Sequence, residues 1–219
     1  MITTIEIELT GVANGGLLAE IMAAVGDETV GLHEVAELIA QDSVLATEVL
    51  RMANSRYYGL AGVVQSVRFA CTVVGSLGLR SITLTELGRR GGRYPEELNE
   101  MGQAIAARAG DLAEAQGVDP QVATAAGLVV NLGRILIAQQ DPLGFAEARH
   151  LRVGEREGYE REHYGETALE ITVRALARWH FPEEFIASVA QQPGDLLGSI
   201  LMEAIDSAQQ SLDEGAPSR

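Results

Sequence analysis

The sequence predicts an all-α fold with a short extended segment at its amino terminus. Two observations carry that expectation. Apolar residues recur at helical spacing from Leu17 almost to the carboxy terminus, while strict alternation is confined to the first nine residues. Glycine- and proline-bearing breakers separate the apolar stripes into segments of helix length.

In order along the chain, Ile5, Ile7 and Leu9 alternate with Glu6, Glu8 and Thr10, the mark of a half-buried strand. A lone strand is unstable in water and its open edge invites association. Residues 2–9 are therefore expected to pair with another strand, with a second copy as one partner and a homodimer as the result. Leu17, Leu18, Ile21, Met22 and Val25 form one helical stripe. Leu32, Val35, Ala36 and Ile39 form the next, with His33 one position off it. Leu45, Val49, Met52 and Ala53 form a third, entered through Asp42-Ser43, either of which can cap a helix start.

"YYGLAGVVQS" predicts a turn into a helix over about 65–75, and "GSLGLRS" breaks that helix and starts another reaching about Gly88. "RRGGRYPEE" is the strongest breaker in the chain and predicts a boundary near 88–97 between two helical subdomains. Met101, Ile105, Ala109, Leu112 and Ala113 give a helix ended by "QGVDP". Pro120 suits the first turn of the following helix, which runs to about Gln140, either unbroken or bent at Gly127 or Gly133. "EREGYEREHYGE" is charged and expected to be exposed. A helix over Thr167 to Trp179, a short one after "HFPEEF" and a last one over about 195–213 complete the chain. The expected organisation is an extension over 1–14, a helical domain over 15–213 and a flexible tail over 214–219.

Composition narrows the class. The 219 residues suffice for a substantial core, and 47% hydrophobic content argues for a globular chain. Aromatics are only 5%, so that core must be built from Leu, Ile, Val and Ala. The net charge of −15 repels phosphate backbones and anionic lipid, so neither nucleic acid nor membrane is an expected partner. No single apolar run approaches the ~18 residues that span a bilayer, and "MITTIEIELT" lacks the basic start of a signal peptide. Cys71 is the single cysteine, which excludes an internal disulfide and fits a cytoplasmic protein. Every basic residue is arginine, and Arg89, Arg90 and Arg93 form the densest cluster, most simply a glycine-hinged loop.

No catalytic constellation emerges from the residues. His33, His150, His163 and His180 show neither the i, i+4 spacing of a helical metal pair nor a His-Asp dipeptide. Cys71, in "RFACTVVG", is a small core residue without a histidine partner in sequence. Phosphate-cradling glycine loops are absent, and Glu96-Glu97 and Glu183-Glu184 follow prolines, where they favour a helix dipole.

One stretch is more specific. "LIAQDSVLATEVLRMANS", the following "YYG" and a helix closing on "VVGSLGLRSI" resemble the HDOD family, HD-related output domains of bacterial signalling proteins. "AARAGDLAEAQG", "AAGLVVNLGRILI" and "ALARWHFPEEFIASVAQ" extend the likeness to roughly residues 15–205. The resemblance implies an HD-like multi-helix bundle. In HD-type phosphohydrolases His and Asp side chains hold one or two metals on such a bundle. By this resemblance, the first histidine's place falls near Met101, the His-Asp pair on Val130-Asn131, a further histidine on Ala168, and a terminal pair on Gln191-Gln192. Val and Ala have no donor, and Asn and Gln offer only neutral amide oxygens, so these positions serve a transition metal poorly or not at all.

The resemblance thus implies a non-catalytic adaptor that joins a signalling protein by protein contacts, with no metal and no cofactor. Its signature residues here are Asp42, Leu45, Asn54, Ser55, Tyr58 and Gly59, with Tyr57 adjacent as a candidate contact. Two alternatives remain open: a nucleotide- or cyclic-dinucleotide-sensing module in the degenerate cleft, with Arg134 meeting a phosphate, and a diverged phosphohydrolase.

Overall fold

A computed structural model describes residues 4–6, 15–27, 29–89, 96–179 and 181–215. These form α1 (Gly15–Gly26), α2 (Leu32–Ala40), α3 (Ser43–Ala53), α4 (Val67–Arg89), α5 (Glu96–Gln116) and α6 (Pro120–Val129). There follow α7 (Leu132–Gln140), α8 (Pro142–Ala148), α9 (Val153–Tyr164), α10 (Ala168–Arg178), α11 (Glu183–Val189) and α12 (Leu196–Gly215). No strand occurs among the described residues, and the fold is all-α.

The helix starts follow local chemistry. The Asp42 carboxylate accepts from the backbone N–H of Val44 at 3.1 Å and of Leu45 at 2.9 Å, capping α3. Asp119 caps α6 by accepting from Gln121 N–H at 2.8 Å, with Pro120 in the first turn. Thr167 and Glu170 close a reciprocal capping box on α10. "GSLGLRS" breaks its helix at Gly75, whose φ of +69° and ψ of 168° are open to glycine alone without strain.

Two apolar clusters build the interior. The larger runs from Leu18 to Ala208, through α1 to α6 and α11 to α12, and is continuous across the segment 88–97. Most of that breaker, residues 90–95, lies outside the described residues, as do His180 and residues 216–219 of the expected tail 214–219, whose first two residues continue α12. The smaller cluster joins Ile5, Val44 and Leu98 to Leu132, Ile135, Leu136, Phe145, Tyr164 and Ile171. It sits where α7, α8, α9 and α10 meet.

Three differences from the sequence expectations have plain physical causes. The first is the amino-terminal segment. The described backbone bonds of Ile5 and Glu6 are made to side chains of this same chain. The Gln140 carboxamide accepts from Glu6 N–H at 2.8 Å and donates to Glu6 C=O at 2.7 Å. Arg174 donates to Ile5 C=O at 3.0 Å, and the Ile5 side chain is fully buried. A primary amide presents one donor and one acceptor side by side, as a neighbouring strand does. The other residues assigned to the strand, 2–3 and 7–9, lie outside the described residues.

The second difference is "EREGYEREHYGE". It forms most of α9, and although much of it is exposed, Glu160 and Tyr164 are buried. Its mean hydropathy is low enough to hide a single inward stripe. Third, Pro120–Gln140 is, taken whole, 21 residues long and apolar enough to cross a membrane, contrary to the expectation of no such run. It is broken at Val130-Asn131, and 78% of its most apolar window is buried in the fold.

If Ile5 anchors the terminus as described, Ile5→Ala should cost about 2–4 kcal/mol, the usual loss for a buried isoleucine truncated to alanine. Denaturant unfolding measures it. A disordered terminus would show no change.

Candidate functional site

The break between α6 and α7 is made by a side chain from α10. Gly133 N–H donates to the Thr172 hydroxyl at 2.8 Å instead of completing the helical ladder. The same hydroxyl lies 3.3 Å from Val130 C=O and 3.0 Å from Ala168 C=O, both acceptors for its proton. Inserting a polar group into the i to i−4 ladder is an established cause of a helix bend. The contact is close: a Cβ on Gly133 would stand 1.8 Å from the Ala168 carbonyl oxygen.

This bend aims Val130, Asn131 and Arg134 into a cleft of about 210 Å³. Met101 reaches it from α5, Ala168 from the start of α10, and Gln191 from the turn after α11. Five of the six positions matched to metal ligands by resemblance therefore share one cleft. Gln192 does not; it is exposed and absent from the lining. Gln191 takes a φ of +56°, the one non-glycine residue with positive φ among the described residues.

The charged residues of the cleft are Arg134, Arg156, Glu157, Glu160 and Asp206. Arg156 and Glu160 face each other one turn apart on α9, 3.8 Å between Nε and Oε1. The other Glu160 oxygen accepts from Ala168 N–H at 2.8 Å. Burial raises the Glu160 carboxyl above its ordinary range, against the lowering effect of the Ala168 bond and the two arginines. Arg134 has a different environment. Burial chiefly, with Arg156 nearby, pulls its guanidinium down to about 10. Its near contacts are the Met101 thioether at 3.5 Å and the face of Phe145, 5.8 Å to the ring centre. No carboxylate lies within ion-pair distance of it among the described residues.

These residues do not fit a divalent metal. A thioether, two aliphatic side chains and two neutral amides surround a fixed cation, and the one buried carboxylate is already engaged. The sequence reading located Met101, Val130, Asn131, Ala168, Gln191 and Arg134, but missed Arg156 and Glu160. Their i, i+4 spacing on a segment dismissed as exposed was the available signal.

The remaining histidines make local contacts. His33 lies between Arg68 at 2.9 Å and Glu37 at 3.3 Å, His163 stacks on Tyr159, and Arg149 donates to His150 at 3.1 Å. Cys71 is fully buried, which pushes its thiol up to about 12 and leaves it without a thiolate at neutral pH.

The signature turn lies apart from the cleft lining. Asn54 ends α3 and is completely buried. Its Nδ2 donates to Leu50 C=O at 3.1 Å and Val64 C=O at 2.8 Å, and its Oδ1 accepts from Val64 N–H at 3.2 Å. One amide thus ties the end of α3 to the entry of α4. The Ser55 hydroxyl oxygen is buried without a hydrogen-bond partner. Gly59 and Gly62 take positive φ, +67° and +77°, where the turn demands it. The adjacent tyrosines diverge: Tyr57 is 86% exposed, while Tyr58 is half-buried with its hydroxyl near Val74 C=O.

Two stability measurements follow. Asn54→Ala strands the backbone groups of Val64 and should cost about 1–3 kcal/mol. Gly133→Ala drives a methyl into the Ala168 carbonyl and should cost about 3 kcal/mol, at the upper end of overpacking effects. An unchanged denaturation midpoint in either variant would contradict the contact it tests.

Comparison with known proteins places this architecture. The HDOD domain model matches residues 15–193. The MmoQ response regulator of Methylococcus capsulatus superposes with a TM-score of 0.76 at 25% identity, over 92% of this chain and 87% of that one. A virulence factor from Campylobacter jejuni gives 0.71 at 16% identity, over 93% and 79%. An HDOD domain protein from Geobacter sulfurreducens gives 0.50 at 21% identity, over 91% and 73%. No curated protein matches the chain by sequence. The caps, the glycine turns and the bent apolar helix pair all lie within the matched residues, and the chain belongs to the HDOD family.

Proposed function

We propose that this chain is a non-catalytic signalling adaptor that works by contact with a separate signalling protein. The observation that carries the reading is the content of the cleft. The places implied for metal ligands hold Met101, Val130, Asn131, Ala168 and Gln191 around the half-buried Arg134. A guanidinium at that point opposes a divalent cation and cannot act as a base, since it keeps its proton at neutral pH. The name of the MmoQ neighbour, a response regulator, supports a signalling role. The exposed apolar side chains support contact as the means: Tyr57 is 86% and Leu77 82% exposed. Tyrosine suits such a role because it offers a large, stiff, amphipathic surface.

The decisive experiment joins metal analysis to an activity assay. The purified protein should carry no stoichiometric metal and show no phosphodiesterase activity with added manganese or iron. Val130→His with Asn131→Asp should not create a site, because Arg134, Met101 and Ala168 remain. Tight metal binding by the unaltered protein would end the adaptor reading. In pull-downs from native lysate, Tyr57→Ala should leave the denaturation midpoint unchanged and weaken capture of the partner.

A further inference from the structure

We propose that the cleft binds a small organic monocarboxylate, its carboxylate held by Arg134 and Asn131 and its apolar body by the walls. This goes beyond the adaptor reading and stands independently of it. The first observation is Asn131. The residue is 8% exposed, and its Nδ2 is buried with no hydrogen-bond partner among the described residues. A buried amide N–H₂ left unpaired is unfavourable, and a turn of the Asn131 side chain toward an acceptor in the cleft would relieve it.

Arg134 is the second, independent observation. Its guanidinium has five donors in a planar fork, yet among the described residues its one hydrogen-bonding contact is a thioether, a weak acceptor. A cation removed from water without a counter-ion is destabilising, and the planar carboxylate is the group that such a fork engages with two parallel bonds. Arg156 does not compete for the ligand in the same way, because it already faces Glu160.

The number of negative charges follows from the mouth. Glu157 and Asp206 are exposed at the cleft, and Glu160 lies deeper. Arg134 is the cleft cation without an ion pair among the described residues, and a second negative charge on the ligand would meet those carboxylates instead of a donor. The body of the ligand follows from the walls: Ile105, Val130, Leu169, Met202 and Ile205 are apolar. Size favours the smaller candidates. The cleft of about 210 Å³ lies below the ~300–1,000 Å³ of sites for drug-sized ligands. It suits a short aliphatic or aromatic acid better than a cyclic dinucleotide.

The test is calorimetric titration of the full chain with hexanoate and benzoate, beside hexanamide, adenosine monophosphate and cyclic di-GMP. The two acids should bind and raise the melting temperature, while the neutral amide and the nucleotides should not. Arg134→Met should weaken the acids by more than roughly tenfold, the loss expected of a charged hydrogen-bond partner. It should at the same time hold or raise the melting temperature of the free protein, because it removes a half-buried charge that has no ion pair among the described residues. A purely structural arginine would give the opposite, a lower melting temperature. Leu169→Trp fills the cleft without touching either donor, and should abolish acid binding even if Arg134→Met fails to fold. The proposal is overturned if hexanamide binds as well as hexanoate, if the nucleotides bind in preference, or if Leu169→Trp leaves acid binding intact. None of these outcomes bears on metal content or on capture through Tyr57, so the adaptor reading is judged separately.

Discussion

One hydroxyl group holds the site side of this molecule together. Thr172 takes the Gly133 N–H that would otherwise continue the helix from α6 into α7 and sits within bonding distance of Val130 C=O and Ala168 C=O. Its position requires α7 and α10 to approach until backbone meets backbone, and Gly133 makes that approach possible. Remove either element and the apolar segment from Pro120 has no reason to bend. Without the bend, Asn131 and Arg134 would lie along a continuous helix instead of facing Met101, Ala168 and Gln191. The cleft is a consequence of a broken hydrogen-bond ladder, and its polar groups inherit their burial from the same event.

The core shows how a chain poor in aromatics can still pack. Ala106, Ala109 and Ala113 on α5 meet Ala123, Ala125 and Ala126 on α6 within the larger cluster. Gly127 lies so close to Ala106 that a Cβ there would stand 2.5 Å from its Cα. Small side chains let the two helices approach and replace bulk with proximity, since dispersion gains fall off within fractions of an ångström. Several of the aromatic residues lie near helix ends: Phe181 just before α11, Trp179 at the close of α10 and Tyr164 at the close of α9.

Much of this was legible in the sequence, for reasons that differ by residue. The stripes of α1 to α3, the Asp42 cap and the break near Gly75 are local: each depends on spacing or on a backbone conformation that only certain residues tolerate. Asn54 was legible as a bridging amide at a turn, although its partner, Val64, lies ten residues on. The contribution of α9 to the cleft was hidden because its charge dominates its average, and only Glu160 and Tyr164 are buried. The mooring of residues 4–6 was beyond any periodicity argument. Alternation reports that one face is covered, but cannot say whether a strand or a glutamine side chain 134 positions away supplies the bonds. Gln191 and its positive φ were equally silent, because glutamine carries no turn signal of its own.

The break at Gly75 bears on the order in which the chain acquires structure. It divides α4 into pieces of eight and fourteen residues, Val67–Val74 and Ser76–Arg89. Isolated helices shorter than about 12–15 residues are marginal in water, because nucleation is costly and few bonds follow to repay it. Neither half can therefore persist alone, and no shared ladder lets one half seed the other. Both must wait for surfaces to lean on: Ala70, Cys71 and Leu79 are buried in the cluster that α1, α2 and α3 also supply. That makes α4 an element held by its docking surface and not by its own length, its two arms resting on the rest of the fold as separate pieces.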